Sequence, residues 1–67
     1  MIVAIDYTDA GWRYISNIAY ASDWSKESLM ARANEFSKDH EEVYIIDFDK
    51  NCVPFIDEIV LHGCRIH

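Results

Sequence analysis

Residues 25–40 read Ser-Lys-Glu-Ser-Leu-Met-Ala-Arg-Ala-Asn-Glu-Phe-Ser-Lys-Asp-His, the one stretch in which a helical period meets no competing strand period. Leu29, Ala33 and Phe36 recur at i, i+4 and i+7 with Met30 beside them, while Lys26, Glu27, Arg32, Glu35 and Lys38 take the other side. The spacing predicts a helix over Ser25–Asp39 that lays Leu29, Met30, Ala33 and Phe36 on a sheet. The Ser25 hydroxyl suits the N-cap, Glu27 the positive helix end and Lys38 the negative one.

Everything on either side of this helix reads as strand. Upstream, Met-Ile-Val-Ala-Ile-Asp-Tyr (1–7) is a β-branched run that stops at the turn residues Thr8-Asp9-Ala10-Gly11. The next segment, Trp12–Tyr20, fits periods of 2 and 3.6 almost equally, and its aromatic and β-branched residues after a short turn favour a hairpin strand. Downstream, Val-Tyr-Ile-Ile-Asp-Phe (43–48), the turn Asp49-Lys50-Asn51-Cys52 and Val-Pro-Phe-Ile-Asp-Glu-Ile-Val-Leu-His (53–62) read as a second hairpin. Gly63 ends it and leaves Cys64–His67 as a tail. The expected fold is a single small α+β domain over 1–67, β-β-α-β-β, with one helix packed on a four-stranded, mainly antiparallel sheet. One helix covers one face. Strands three and four are apolar at both parities, so a twofold homodimer or a partner protein is expected to cover the other face. The alternative is only a core slightly richer than average, since apolar atoms are common on any surface.

Composition narrows the function. A chain of 67 residues buries only about 60% of its unfolded surface, which is too little scaffold for most enzymes. Twelve acids against six bases give a net charge of −6, the wrong sign for gripping a phosphate backbone, so no direct nucleic-acid contact is expected. Apolar runs fall far short of the roughly 20 residues a bilayer span needs. No basic and apolar leader pattern opens the chain, and a cytoplasmic protein is expected.

No residue set specifies a reaction. Asp6, Asp47 and Asp49 each follow an apolar run, as metal-holding carboxylates can, yet they equally mark strand ends and turns. Asp57 and Glu58 are neighbours that a strand would point to opposite faces, so they form no acid/base pair. His62, Cys64 and His67, with His40 across the expected hairpin, have donor atoms suited to zinc, but Cys52 would lie at the far end. Twelve residues of continuous strand would also hold Cys52 and Cys64 too far apart for a disulfide. Two free thiols, no metal, no cofactor and no catalytic set are therefore expected.

Charge distribution remains. Between Asp39 and Glu58 stand seven acids against the single base Lys50, so this window carries the whole net charge. Glu41, Glu42, Asp47, Asp49, Asp57 and Glu58, with Tyr44 and Phe48 interleaved, are the candidate partner-binding residues. In size, acidity and single-helix layout the chain resembles small phage-encoded inhibitors of bacterial defence, the anti-CRISPR proteins among them, through Glu41, Glu42, Asp47 and Asp49 beside Tyr44 and Phe48. The resemblance implies a non-enzymatic inhibitor or modulator that presents an acidic face to a protein with a basic surface, such as a nucleic-acid-binding complex. Those proteins share no common signature, so no role passes to an individual residue. Two other classes compete. One is a small oligomeric sponge for a nucleotide signal, stacking it on Trp12, Tyr14, Tyr20 and Trp24 with Arg13 or Arg65 facing phosphate. The other is a plain regulatory subunit.

Overall fold

The β-branched run near the start of the chain forms β1, Ile2–Tyr7, an inner strand of the sheet. The computed structural model describes residues 1–20, 23–47, 52 and 54–67. β1 turns through Thr8–Gly11 into β2, Arg13–Ala19. Gly11 N–H donates to the Thr8 carbonyl at 2.9 Å, and Gly11 adopts φ +88°, a left-handed conformation that a Cβ disfavours. The helix α1, Lys26–Asp39, follows, and its N-cap Ser25 accepts from the Ser28 N–H at 3.1 Å. Then come β3, Glu42–Ile45, a short helix α2, Ile56–His62, and β4, Cys64–Arg65.

The strands form one antiparallel sheet in the order β2-β1-β3-β4. The domain is α+β, and its four strands and main helix follow the order β-β-α-β-β. The fourth strand is not where the sequence pattern places it. Residues 56–62 are helical, and pairing with β3 falls to the two residues after Gly63. The expected second hairpin is therefore absent, and its turn at 49–52 lies largely outside the described residues. Cys64–His67 is no free tail: Ile66 N–H donates to the Val43 carbonyl at 2.8 Å and Val43 N–H to the His67 carbonyl at 3.2 Å.

The physical reason is the second layer. Alternation sends Ile2, Ala4 and Val43 to one face, where Ala33 is buried and Leu29 and Phe36 pack partly covered. Met30, expected with them, is 36% exposed, because its 100° offset from Leu29 turns it off the contact stripe. Val3, Ile5, Tyr44 and Ile46 face the other way, onto Ile59 and Ile56 of α2. A strand over 53–62 would leave that face open to water, whereas a helix with Ile56 and Ile59 three apart closes it. The cover expected from a second copy or a partner is thus supplied by the chain itself. Gly63 makes the crossover possible: its N–H donates to the Ile59 carbonyl at 2.8 Å, and a Cβ there would lie 2.5 Å from that oxygen and 3.4 Å from the Tyr44 ring.

Candidate functional site

Both faces of the sheet close at the same end, the end of the β1–β2 turn, and each closes on a carboxylate. On the α2 face Glu42 is only 4% exposed. Its side chain shares a face with Tyr44, two residues on, and the antiparallel register brings β1 alongside. The Tyr7 hydroxyl donates to Glu42 Oε2 and the Tyr44 hydroxyl to Oε1 at 2.8 Å. Arg13 Nε donates to the Tyr7 hydroxyl at 3.0 Å and stands 3.8 Å from Glu42 Oε2. Burial pushes the Glu42 carboxyl up, but the two phenol hydrogen bonds and the Arg13 charge outweigh it and hold the group below its ordinary range. Burial, then the bond to Glu42, raises the Tyr44 phenol.

On the α1 face Asp6 accepts from the Glu41 N–H at 2.8 Å and contacts His40 Nδ1 at 2.7 Å. The Ser16 hydroxyl, 3.2 Å from both the Ala4 carbonyl and His40 Nδ1, completes the cluster. Ser16, then His40 and the Glu41 N–H, hold the Asp6 carboxyl at about 2 against the burial that would raise it. A serine, a histidine and an aspartate are together here, but Ser16 and Asp6 approach the same ring nitrogen. A nucleophile relay needs the carboxylate on one nitrogen and the hydroxyl on the other. The cluster instead latches the end of α1 to β1 and β2.

The sequence-selected residues divide accordingly. Glu42 and Tyr44 point inward and are occupied by each other. Glu41, Asp47 and Asp57 are exposed and Glu58 half-buried in the first turn of α2. Phe48 and Asp49 lie outside the described residues. The sheet register puts Asp47, beyond β3, at the end opposite Glu41. Asp9, Asp39, Glu41 and Asp57 are all exposed, and the turn, the end of α1 and the start of α2 bring them to the closed end. Both cysteines are free and exposed, though no continuous strand separates them. His40 is engaged by Asp6, and among the described residues no three His, Cys, Asp or Glu side chains converge as a metal site.

Beside Glu42 an open groove of about 720 Å³ runs between β2 and the start of α2, lined by Arg13, Tyr14, Ile15, Pro54, Phe55, Ile56 and Asp57. Phe55 is 78% exposed and Trp12 74%. Trp24 does not reach this groove; it packs on the Ala33 side of the sheet, with the Arg32 guanidinium 5.9 Å from its ring centroid. The aromatics considered for base stacking therefore do not converge. Sequence reasoning missed Glu42's inward position and the groove. The parity that Glu42 shares with Tyr44 and Ile46 was the available signal for the first; the second needed α2. Among the described residues no helix is long and apolar enough to cross a membrane. No family model matches the chain, and no curated protein or solved structure shows significant similarity to it.

Proposed function

We propose that the protein is a non-enzymatic interaction protein that inhibits or modulates a larger, nucleic-acid-binding protein by setting an acidic surface against its basic one. The observation that carries this reading is the distribution of carboxylates at the closed end. Asp6 and Glu42 are satisfied internally, while Asp9, Asp39, Glu41 and Asp57 stand exposed around them beside Trp12 and Phe55. Carboxylates steer the encounter, and exposed aromatics supply contact area once water is excluded. The nucleotide-sponge alternative loses ground because Arg13 already faces Glu42 and Trp24 lies elsewhere.

The immobilised chain should retain a basic, nucleic-acid-binding protein from source-cell lysate, and the retained protein should bind nucleic acid more weakly in its presence. Glu41→Lys with Asp57→Lys should abolish retention, whereas Asp47→Lys, at the opposite end, should spare it. Raising salt from about 50 to 200 mM should slow association. Retention that survives the double charge reversal, or a retained protein whose nucleic-acid affinity is unchanged, would sink this reading.

A further inference from the structure

Among the described residues strand β2 has a neighbour on one side only, and its outer edge adjoins the groove. We infer that this edge and groove form a docking site for an extended, cationic segment of the partner, added to the sheet as a fifth strand with one apolar side chain seated against Ile15, Ile56 and Phe55. The inference rests on the proposed function for the sign of the partner's charge, and on backbone geometry for the mode of binding.

The ladder decides which groups are available. Thr8 N–H donates to the Trp12 carbonyl at 2.8 Å, so the next hydrogen-bonded pair along the antiparallel ladder is Asp6 with Tyr14. Arg13 and Ile15 fall between such pairs and turn their own N–H and C=O groups to the free edge. An unpaired edge is a template for an incoming strand unless it is blunted by proline, charge or a bulge; Arg13–Ala19 holds no proline or lysine, and its bulge at Ser16 leaves the stretch Arg13–Ile15 regular. Its one charge, Arg13, is partnered by Glu42. In strand addition the main chain supplies affinity and a pocket for alternate side chains supplies specificity; the groove beside Arg13–Ile15 is placed for that.

Charge selects the occupant. Asp57 lines the groove and makes no ion pair with any described residue, Asp9 and Glu41 are exposed at the same end, and the chain carries −6 overall. A second copy would bring the same charge against it. The register also shifts opposite Ala4 and Ile5, a bulge that interrupts β2 at Ser16 and prevents long self-pairing of this strand with its twin. A short basic segment along Trp12–Ile15 meets neither obstacle.

The probe is a blocked octapeptide, Lys-Val-Lys-Phe-Lys-Val-Lys-Val, compared with a version N-methylated at alternate residues and one carrying Glu for Lys. The basic peptide should bind and slow amide exchange at Arg13 and Ile15 at least tenfold. Tyr14, already bonded to β1, should change little. The N-methylated peptide should bind at least tenfold more weakly and the Glu peptide not detectably. Equal binding of the parent and N-methylated peptides would overturn strand addition while leaving the acidic contact standing. No binding, with sedimentation at twice 7.8 kDa and protected β2 amides, would assign the edge to a second copy and overturn the inference; no binding by a monomer would overturn it outright.

Discussion

The two faces of the sheet are covered by helices of opposite kinds. α1 is 14 residues long, capped by Ser25, with Glu27 in its first turn and Lys38 in its last. α2 is 7 residues long, has Phe55 at its N-cap with no side-chain cap bond, and buries one residue, Ile59. A helix like the first carries its own instructions. One like the second is marginal alone, since nucleation is costly and few bonds follow it. It forms because the Val3, Ile5, Tyr44 and Ile46 face must be dried.

The sharpest way to break this comparison is to remove what each helix buries. Ile59→Ala should cost about 2–5 kcal/mol, because the side chain is fully buried and α2 has little else to hold it. Leu29→Ala, half-buried on a longer, capped helix that Ala33 and Phe36 also hold to the sheet, should cost less than half as much. Denaturant unfolding measures both, and a smaller loss for Ile59→Ala than for Leu29→Ala would mean that α2 is not the second layer. Part of a stability of about 5–15 kcal/mol would be at stake in one side chain.

The same contrast explains what could be read before the structure. β1 and α1 were legible because a β-branched run ending in turn residues, and a cap with a 3.6 period, each point one way. β2 was legible only through the short turn before it and its aromatic and β-branched residues, since its two periods nearly tie. Residues 53–62 were not: Phe55, Ile56, Ile59 and Val60 are compatible with both periods, β-branching favours strand, and no Ser, Thr, Asp or Asn stands at the N-cap. The spacing of Ile56 and Ile59 acquires meaning only against the uncovered sheet face. Among the candidate site residues, exposed Glu41, Asp47 and Asp57 needed only their charge to be noticed. Glu42 carries the same charge, but its partners Tyr7 and Arg13 are 35 and 29 positions away, so its inward role depends on register.

The two carboxylate clusters extend the comparison at smaller magnitude. Glu42→Gln should cost about 1–3 kcal/mol, since two phenol donors and Arg13 lose a buried anion. Asp6→Asn should cost less, and its signature is pH. The Asp6 carboxyl is lowered from 3.8 to about 2, so the folded state binds its proton less readily than the unfolded one. The stability Asp6 contributes is present above the unfolded value and is lost as pH falls through the folded one. The gap between wild type and Asp6→Asn should therefore be widest above 3.8 and close towards about 2. A gap that stays constant through that window, followed by circular dichroism in denaturant, would show that the Asp6 charge does not fasten α1 to the sheet.

The smallest expected effect is a gain. Phe55 holds the N-cap of α2 at φ −73° and ψ 155°, the extended geometry in which serine caps best, yet it offers no acceptor and is 78% exposed. Phe55→Ser should raise stability by up to about 1 kcal/mol, because the new hydroxyl satisfies a first-turn N–H while little buried area is lost. The same substitution removes an aromatic wall from the groove, so affinity for the basic octapeptide should fall. A more stable variant that binds less well would mean that the chain forgoes a helix cap to keep an aromatic ring at its contact surface. If stability drops instead, Phe55 holds α2 against β2, and the asymmetry between the two helices is smaller than their caps imply.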